Sequence, residues 1–198
     1  MHQTYTNHEV TMSRTIQGLA GLALLLGCAS TPTVTDAGTT GQASFAKGKA
    51  DEAKALADLR QATAKFHSFA AAEAAGWSTQ ITGCVSNPGV GAMGFHYGNV
   101  DLIDGTVRPE APQLLLYEPQ KDASMRLVGV EYIIPYSFVS RESDPPVLFG
   151  QEFSQVDAFG LWGLHVWVWR ENPAGMYKPW NAKVTCDNAP PSARMSHN

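Results

Sequence analysis

His96, Glu131 and His165 are the residues whose types and settings could do chemistry together. Each interrupts an apolar run. Glu131 lies in Leu127-Val128-Gly129-Val130-Glu131-Tyr132-Ile133-Ile134, where strand alternation puts Leu127, Gly129, Glu131 and Ile133 on one face. A carboxylate in that position is at least half buried. Burying it alone is costly, so it needs a partner or a raised pKa. An arginine such as Arg126 or Arg141 is the ordinary partner. His165 lies in Leu164-His165-Val166-Trp167-Val168-Trp169, on one face with Trp167 and Trp169. His96 stands between Phe95 and Tyr97, just after a glycine-rich turn. Taken singly, a strand histidine reads as a satisfied core residue. Taken together, two imidazoles and a carboxylate suit zinc or non-haem iron, with positions left open for water or substrate. Met93, three residues before His96, and Met176 offer soft sulfur donors for copper. No local spacing such as H-E-x-x-H joins the three, so their convergence requires that their strands adjoin. Glu118, in Leu114-Leu115-Leu116-Tyr117-Glu118-Pro119, is a further carboxylate and a candidate catalytic acid or base. Its plain reading is a solvated strand end.

Other motifs are weaker. Gly89-Val90-Gly91-Ala92-Met93-Gly94 matches G-x-G-x-x-G, but Phe95-His96-Tyr97-Gly98-Asn99 follows and does not form the helix a dinucleotide site needs. It reads as a flexible turn. Trp162, Trp167, Trp169 and Trp180, with Tyr177, cluster late in the chain. They read as core, or as an aromatic-lined pocket for a small ligand. His67 reads as a surface residue.

The elements that must position these groups divide the chain in two. Phe45 to Ala75 reads as helix, with Leu56, Leu59, Ala62 and Phe66 recurring on one apolar face. Ser68 caps a second short helix through Glu73, and Gly76 stops it. Strands are expected over Ser78–Val85, Met93–Tyr97, Gln113–Tyr117, Met125–Tyr136 and Leu161–Arg170, separated by Pro, Gly, Asn and Asp. Helices first and strands afterward predict an α+β domain, N-terminal helices packed on a largely antiparallel sheet. The long loops Gly98–Ala111 and Ser137–Val156 are candidate carriers of function. The net charge of −4 and the lack of a basic stripe argue against nucleic acid as a partner.

The first residues carry an address. The apolar stretch from about Ile16 to Leu26 falls short of the ~20 residues of a spanning helix and reads as a signal h-region, with Arg14 before it and Met12 as an alternative start. It ends in Leu24-Leu25-Leu26-Gly27-Cys28, which resembles the lipobox of bacterial lipoproteins. That resemblance implies cleavage before Cys28 and a thioether carrying palmitate-type acyl chains. Ala29 after the cysteine leans toward the outer membrane, facing the periplasm. Residues 1–27 are thus expected to be a signal peptide and 28–44, rich in Ser, Thr, Gly and Ala, a lipidated tether. Residues 45–186 form the domain, and 187–198 read as a flexible tail containing His197. Lipidation takes one of three cysteines, leaving Cys84 and Cys186 as an even pair in an oxidising compartment. A disulfide is the expectation, and a pair of thiolate metal ligands the alternative.

A second resemblance covers most of Phe69 to Cys186. Met93-Gly94-Phe95-His96-Tyr97, Leu115-Leu116-Tyr117-Glu118-Pro119, Val128-Gly129-Val130-Glu131-Tyr132 and Leu164-His165-Val166-Trp167-Val168-Trp169, with Asn172-Pro173-Ala174-Gly175-Met176, are similar to a family of exported bacterial proteins without assigned activity. It implies no fold, ligand or reaction. The function expected from chemistry is a lipid-anchored envelope protein with a divalent-metal site of His96, Glu131 and His165. The rival expectation is a non-enzymatic lipoprotein that binds a small apolar ligand.

Overall fold

A computed structural model describes residues 39–197, with side chains from residue 48. The leader, Cys28 and most of the stretch read as a tether lie outside the described residues. Helix α1 spans Thr39–Thr63 and so begins inside that stretch. Leu56, Leu59 and Phe66 are buried as their spacing requires, and Thr63 joins them. A 3-10 turn, Ala64–His67, and a short helix α2, Phe69–Ala74, follow. The Ser68 hydroxyl accepts from the Ala71 N–H, so the expected cap is present. Gly76 ends the segment at φ +105°. The described residues are α+β, but helix is a smaller part than a helical layer on a sheet implies: one long helix, one six-residue helix and four 3-10 turns.

Nine strands come next. They are β1 (Thr79–Asn87), β2 (Gly91–Gly98), β3 (Leu114–Pro119), β4 (Met125–Pro135), β5 (Val147–Leu148), β6 (Gln151–Glu152), β7 (Ser154–Val156), β8 (Leu161–Val166) and β9 (Arg194–Ser196). Seven form one sheet in the order β7-β8-β4-β3-β2-β1-β9, while β5 and β6 form a separate hairpin. Every pairing in the large sheet is antiparallel except β1 with β9. The five long strands lie where apolar alternation predicts them, except that β8 stops at Val166, four residues short of Arg170, which leaves Trp167 and Trp169 beyond the strand. The short ones carry too few residues to show a period.

Tyr97, Leu115, Val130 and Val166 make one row across four strands on the face that packs under the helical segment. Tyr117 donates its hydroxyl to the Phe66 carbonyl at 2.7 Å, and Phe69 sets its ring edge against Tyr97 and Tyr117. Burying a side chain such as Leu115 contributes about 2 kcal/mol relative to exposure. The Gly89–Gly94 run is the β1–β2 turn and the start of β2, as read, with no helix after it. Gly94 is required there. Its φ is +86°, and a Cβ would lie 2.4 Å from the Tyr117 carbonyl oxygen.

The C-terminal residues differ from the loose tail expected. Cys84 and Cys186 are bonded, with Cα atoms 5.7 Å apart. Glu118 Oε1 accepts the Thr185 N–H at 3.1 Å. These two links fasten the segment before the tail to the sheet, and β9 then adds parallel to β1. The tail was misread because it is poor in core residues. It is held by backbone pairing, which needs none.

Candidate metal centre

The face opposite the helical segment carries the candidate site. Gly98, Leu114, Glu131 and His165 make one row across β2, β3, β4 and β8, and Glu131 and His165 are directly paired. His96 lies one row away, beside Leu116. In a flat sheet, two strands across and two residues along would put the His96 and Glu131 Cα atoms about 12 Å apart. Their side-chain tips nevertheless meet, so the sheet curls inward here. The register shifts within β1–β2 and β3–β4 supply that curl. Glycines keep the concave face open. A Cβ on Gly98 would lie 2.9 Å from Ile81 Cγ1, and one on Gly163 would lie 3.0 Å from Glu131 Oε1.

The three side chains converge as a group. His96 Nε2 is 3.4 Å from Glu131 Oε2 and 3.5 Å from His165 Nε2. His165 Nδ1 is 3.8 Å from Glu131 Oε1. One ligand atom from each lies within 4.8 Å of the others. These separations are at or beyond the outer limit of a hydrogen bond. The two distances from His96 Nε2 are close to the ~3.3 Å edge of a tetrahedron whose ligands stand 2.0–2.1 Å from a central zinc, while the 3.8 Å contact uses the other His165 nitrogen and the other Glu131 oxygen. The donor set and its spacing therefore fit a divalent ion.

The three side chains are buried. All three residues are less than 9% exposed. Burial pushes the Glu131 carboxyl up to about 8. Burial holds His96 down to about 4, against a backbone hydrogen bond to Gly94 that acts the other way. Burial, and then the nearby His96, hold His165 down to about 3. At neutral pH without an ion the cluster is two neutral imidazoles and a protonated carboxyl. Neither expected arginine reaches Glu131: Arg126 pairs with Glu118 at 3.5 Å and Arg141 with Asp157 at 2.7 Å.

Thr82, on β1, is a member that sequence reasoning missed. Its hydroxyl lies 2.8 Å from His96 Nδ1 and 3.0 Å from the Gly83 carbonyl. A carbonyl only accepts, so the hydroxyl proton goes to Gly83, and Thr82 then accepts the proton on Nδ1. His96 is left with a lone pair on Nε2, directed at the cluster centre. A partner that fixes the tautomer in this way is typical of metal-bound histidine. The only sequence signal was a threonine in the strand that precedes the glycine turn.

Glu118 does not join the group. It is neither a solvated strand end nor a catalytic acid at this site: it is buried and accepts from Thr185 and Gln120. His67 is exposed, against the edge of Trp169. Trp162 and Trp167 are core residues whose indole N–H groups reach the Val139 and Lys178 carbonyls. Trp169 bonds to Thr63. Trp180 and Tyr177 instead line a cavity of about 710 Å³ that also contains His96, Glu131 and His165. Met93 and Met176 line it too.

Two buried asparagines brace the segment after β8 and had no sequence signal beyond the Asn172-Pro173-Ala174-Gly175 turn. Asn172 donates to the Trp180 carbonyl at 2.9 Å and accepts from the Ala174 N–H. Asn181 donates to the Arg170 carbonyl and accepts from the Lys183 N–H. Of the two long loops, the later one supplies lining residues such as Gln151 and Gln155. Residues 99–111 supply none among the described residues. Comparison with family models, curated proteins and solved structures finds no match, so the geometry alone carries the functional argument.

Proposed function

We propose that this protein is a lipid-anchored envelope protein whose domain holds one divalent metal ion through His96, Glu131 and one nitrogen of His165. The observation that carries the metal is the meeting of three donors from three strands at a buried site, with one ligand atom from each within 4.8 Å of the others. Two imidazoles and a carboxylate suit zinc or ferrous iron and leave coordination positions open toward the cavity. Met93 and Met176 line that cavity and would extend the donor set toward copper. An open position on zinc activates water for hydrolysis; on iron or copper it supports oxidation. The Leu24–Cys28 motif supports a Cys28 thioether as the anchor. The Cys84–Cys186 bond accords with export.

The test is metal analysis of the full-length protein after incubation with zinc or ferrous iron and gel filtration. One equivalent is expected in the wild type. His96→Ala and His165→Ala should carry none while keeping the wild-type far-UV circular dichroism. A wild-type protein that takes up neither metal refutes the reading. The cavity would then support a non-enzymatic binding protein, with the neutral trio orienting a ligand's polar group.

A further inference from the structure

The cavity's lining is unevenly built, and that asymmetry specifies a ligand. Its most deeply buried lining residues are His96, Glu131 and His165 together with Leu114, Ile133 and Leu164, each no more than 8% exposed. The polar groups of the floor are the candidate metal ligands. Toward solvent, Ile81, Phe159 and Met195 are 39%, 58% and 43% exposed, among the few large apolar side chains that face solvent in the described domain, and they stand beside exposed polar lining residues such as Glu152, Gln155 and Lys178. Scattered exposed apolar residues mean little, but these three border one opening. A volume of about 710 Å³ is that of a small-molecule site rather than of a packing defect. Met93, Met176 and Met195 add flexible thioethers, which adapt to apolar shapes.

We infer that the cavity takes an elongated apolar molecule with one terminal oxygen-donor group, its polar end at His96, Glu131 and His165 and its hydrocarbon part against the aliphatic and methionine wall. The polar end rests on the proposed metal centre; the apolar part does not. A molecule polar along its length would find partners among the solvent-facing residues such as Gln155 and Lys178, but would lose hydration at the buried Leu114, Ile133 and Leu164 without gaining any there. One apolar at both ends would leave the trio facing hydrocarbon. Met195 reaches the mouth because β9 pairs with β1, and its sulfur accepts the Gly83 N–H at 3.2 Å. The disulfide and Glu118 links that hold the C-terminal segment therefore also build the entrance.

Alkyl hydroxamates test this, because the head group chelates metal and the chain varies independently. Acetohydroxamate, butanohydroxamate, hexanohydroxamate and octanohydroxamate are titrated calorimetrically into the full-length zinc-loaded protein. Affinity is expected to rise about fourfold per methylene, the value for full burial of a CH₂, until the chain fills the cavity. The His165→Ala protein, lacking metal, should keep the chain-length gain at weaker absolute affinity. Ile81→Asp and Met195→Gln should each reduce the gain. Affinity independent of chain length in both wild type and His165→Ala overturns the inference. So does a gain unchanged in both Ile81→Asp and Met195→Gln, which would put the chain elsewhere. If acetohydroxamate binds neither form but the gain persists, the metal reading fails and the apolar site stands.

Discussion

In the metal-free protein, Glu131→Gln should remove a pH dependence that the wild type shows above pH 6.5. Burial raises the folded-state pKa of Glu131 from 4.5 to about 8. Between those values the folded protein keeps a proton that the unfolded chain has lost. Stability therefore falls as pH rises through this window and levels off above it. The histidines act on the other side. Their folded pKa values, about 4 and about 3 against 6.5, mean that stability is lost as pH falls below 6.5. From pH 6.5 to 8 the two histidines still titrate in the unfolded chain and offset the fall by about 0.8 kcal/mol, in wild type and variant alike, so the difference between the two proteins isolates Glu131. At 1.36 kcal/mol per unit, the Glu131 contribution should fall by about 1.6 kcal/mol over that interval, so the wild type should lose about 1 kcal/mol net. Glutamine carries no charge and can donate its amide N–H to an imidazole lone pair, so the variant should lose the fall and keep only the small rise, about 0.8 kcal/mol, that the histidines supply. At pH 8 it should exceed the wild type by about 4 kcal/mol, the full window. The assay is urea unfolding of chelator-treated protein at pH 6.5, 7.2 and 8.0. In thermal scans, a 1 kcal/mol loss corresponds to roughly 2–4 °C for a chain of this size. A flat wild-type profile, or one parallel to that of Glu131→Gln, would show that the carboxyl is not buried and protonated as described.

Thr82→Val should weaken zinc binding by about 10- to 100-fold, as expected for loss of a partner to a metal-bound histidine, while Thr82→Ser restores it. Nitrogen-15 shifts of His96 in the metal-free protein would report the tautomer, and an unchanged tautomer in Thr82→Val refutes the assigned role. Replacing both Cys84 and Cys186 by Ala should cost about 2–5 kcal/mol in chemical denaturation, because the bond spans 102 residues. A loss below about 1 kcal/mol would mean that the C-terminal segment is held without it. Cys28→Ser should give an uncleaved or detached protein on membrane fractionation; wild-type processing and partitioning would refute the lipid anchor.

Much of the fold was legible because strand and helix periods are local. Alternation in Leu127–Ile134 put Glu131 on the correct face, and the Ser68 cap and Gly76 stop marked the short helix. The short strands were not legible, since two or three residues carry no period. Nor was β9, which is held by pairing to β1 rather than by a buried face of its own. Chemistry at the level of residue type was legible too: two histidines and a glutamate in apolar strands needed partners, and Cys84 and Cys186 were an even pair. The partners themselves were not. Arg126 and Arg141 were as plausible for Glu131 as the histidines were, because a one-dimensional pattern holds no lateral strand order.

That order, and the curl of the sheet, belong to the tertiary structure. Glu131 meets His165 because β4 and β8 pair in register, and His96 reaches both across β3 because bulges and glycines bend the sheet inward. The same bend makes the cavity, withdraws the trio from water and shifts its pKa values. Glu118 took a structural role for an equally non-local reason, since its partner Thr185 lies 67 residues away. The sequence alone determined which groups would be costly to bury alone. Only the folded sheet decided which of them share one burial site, because that depends on contacts between strands far apart along the chain.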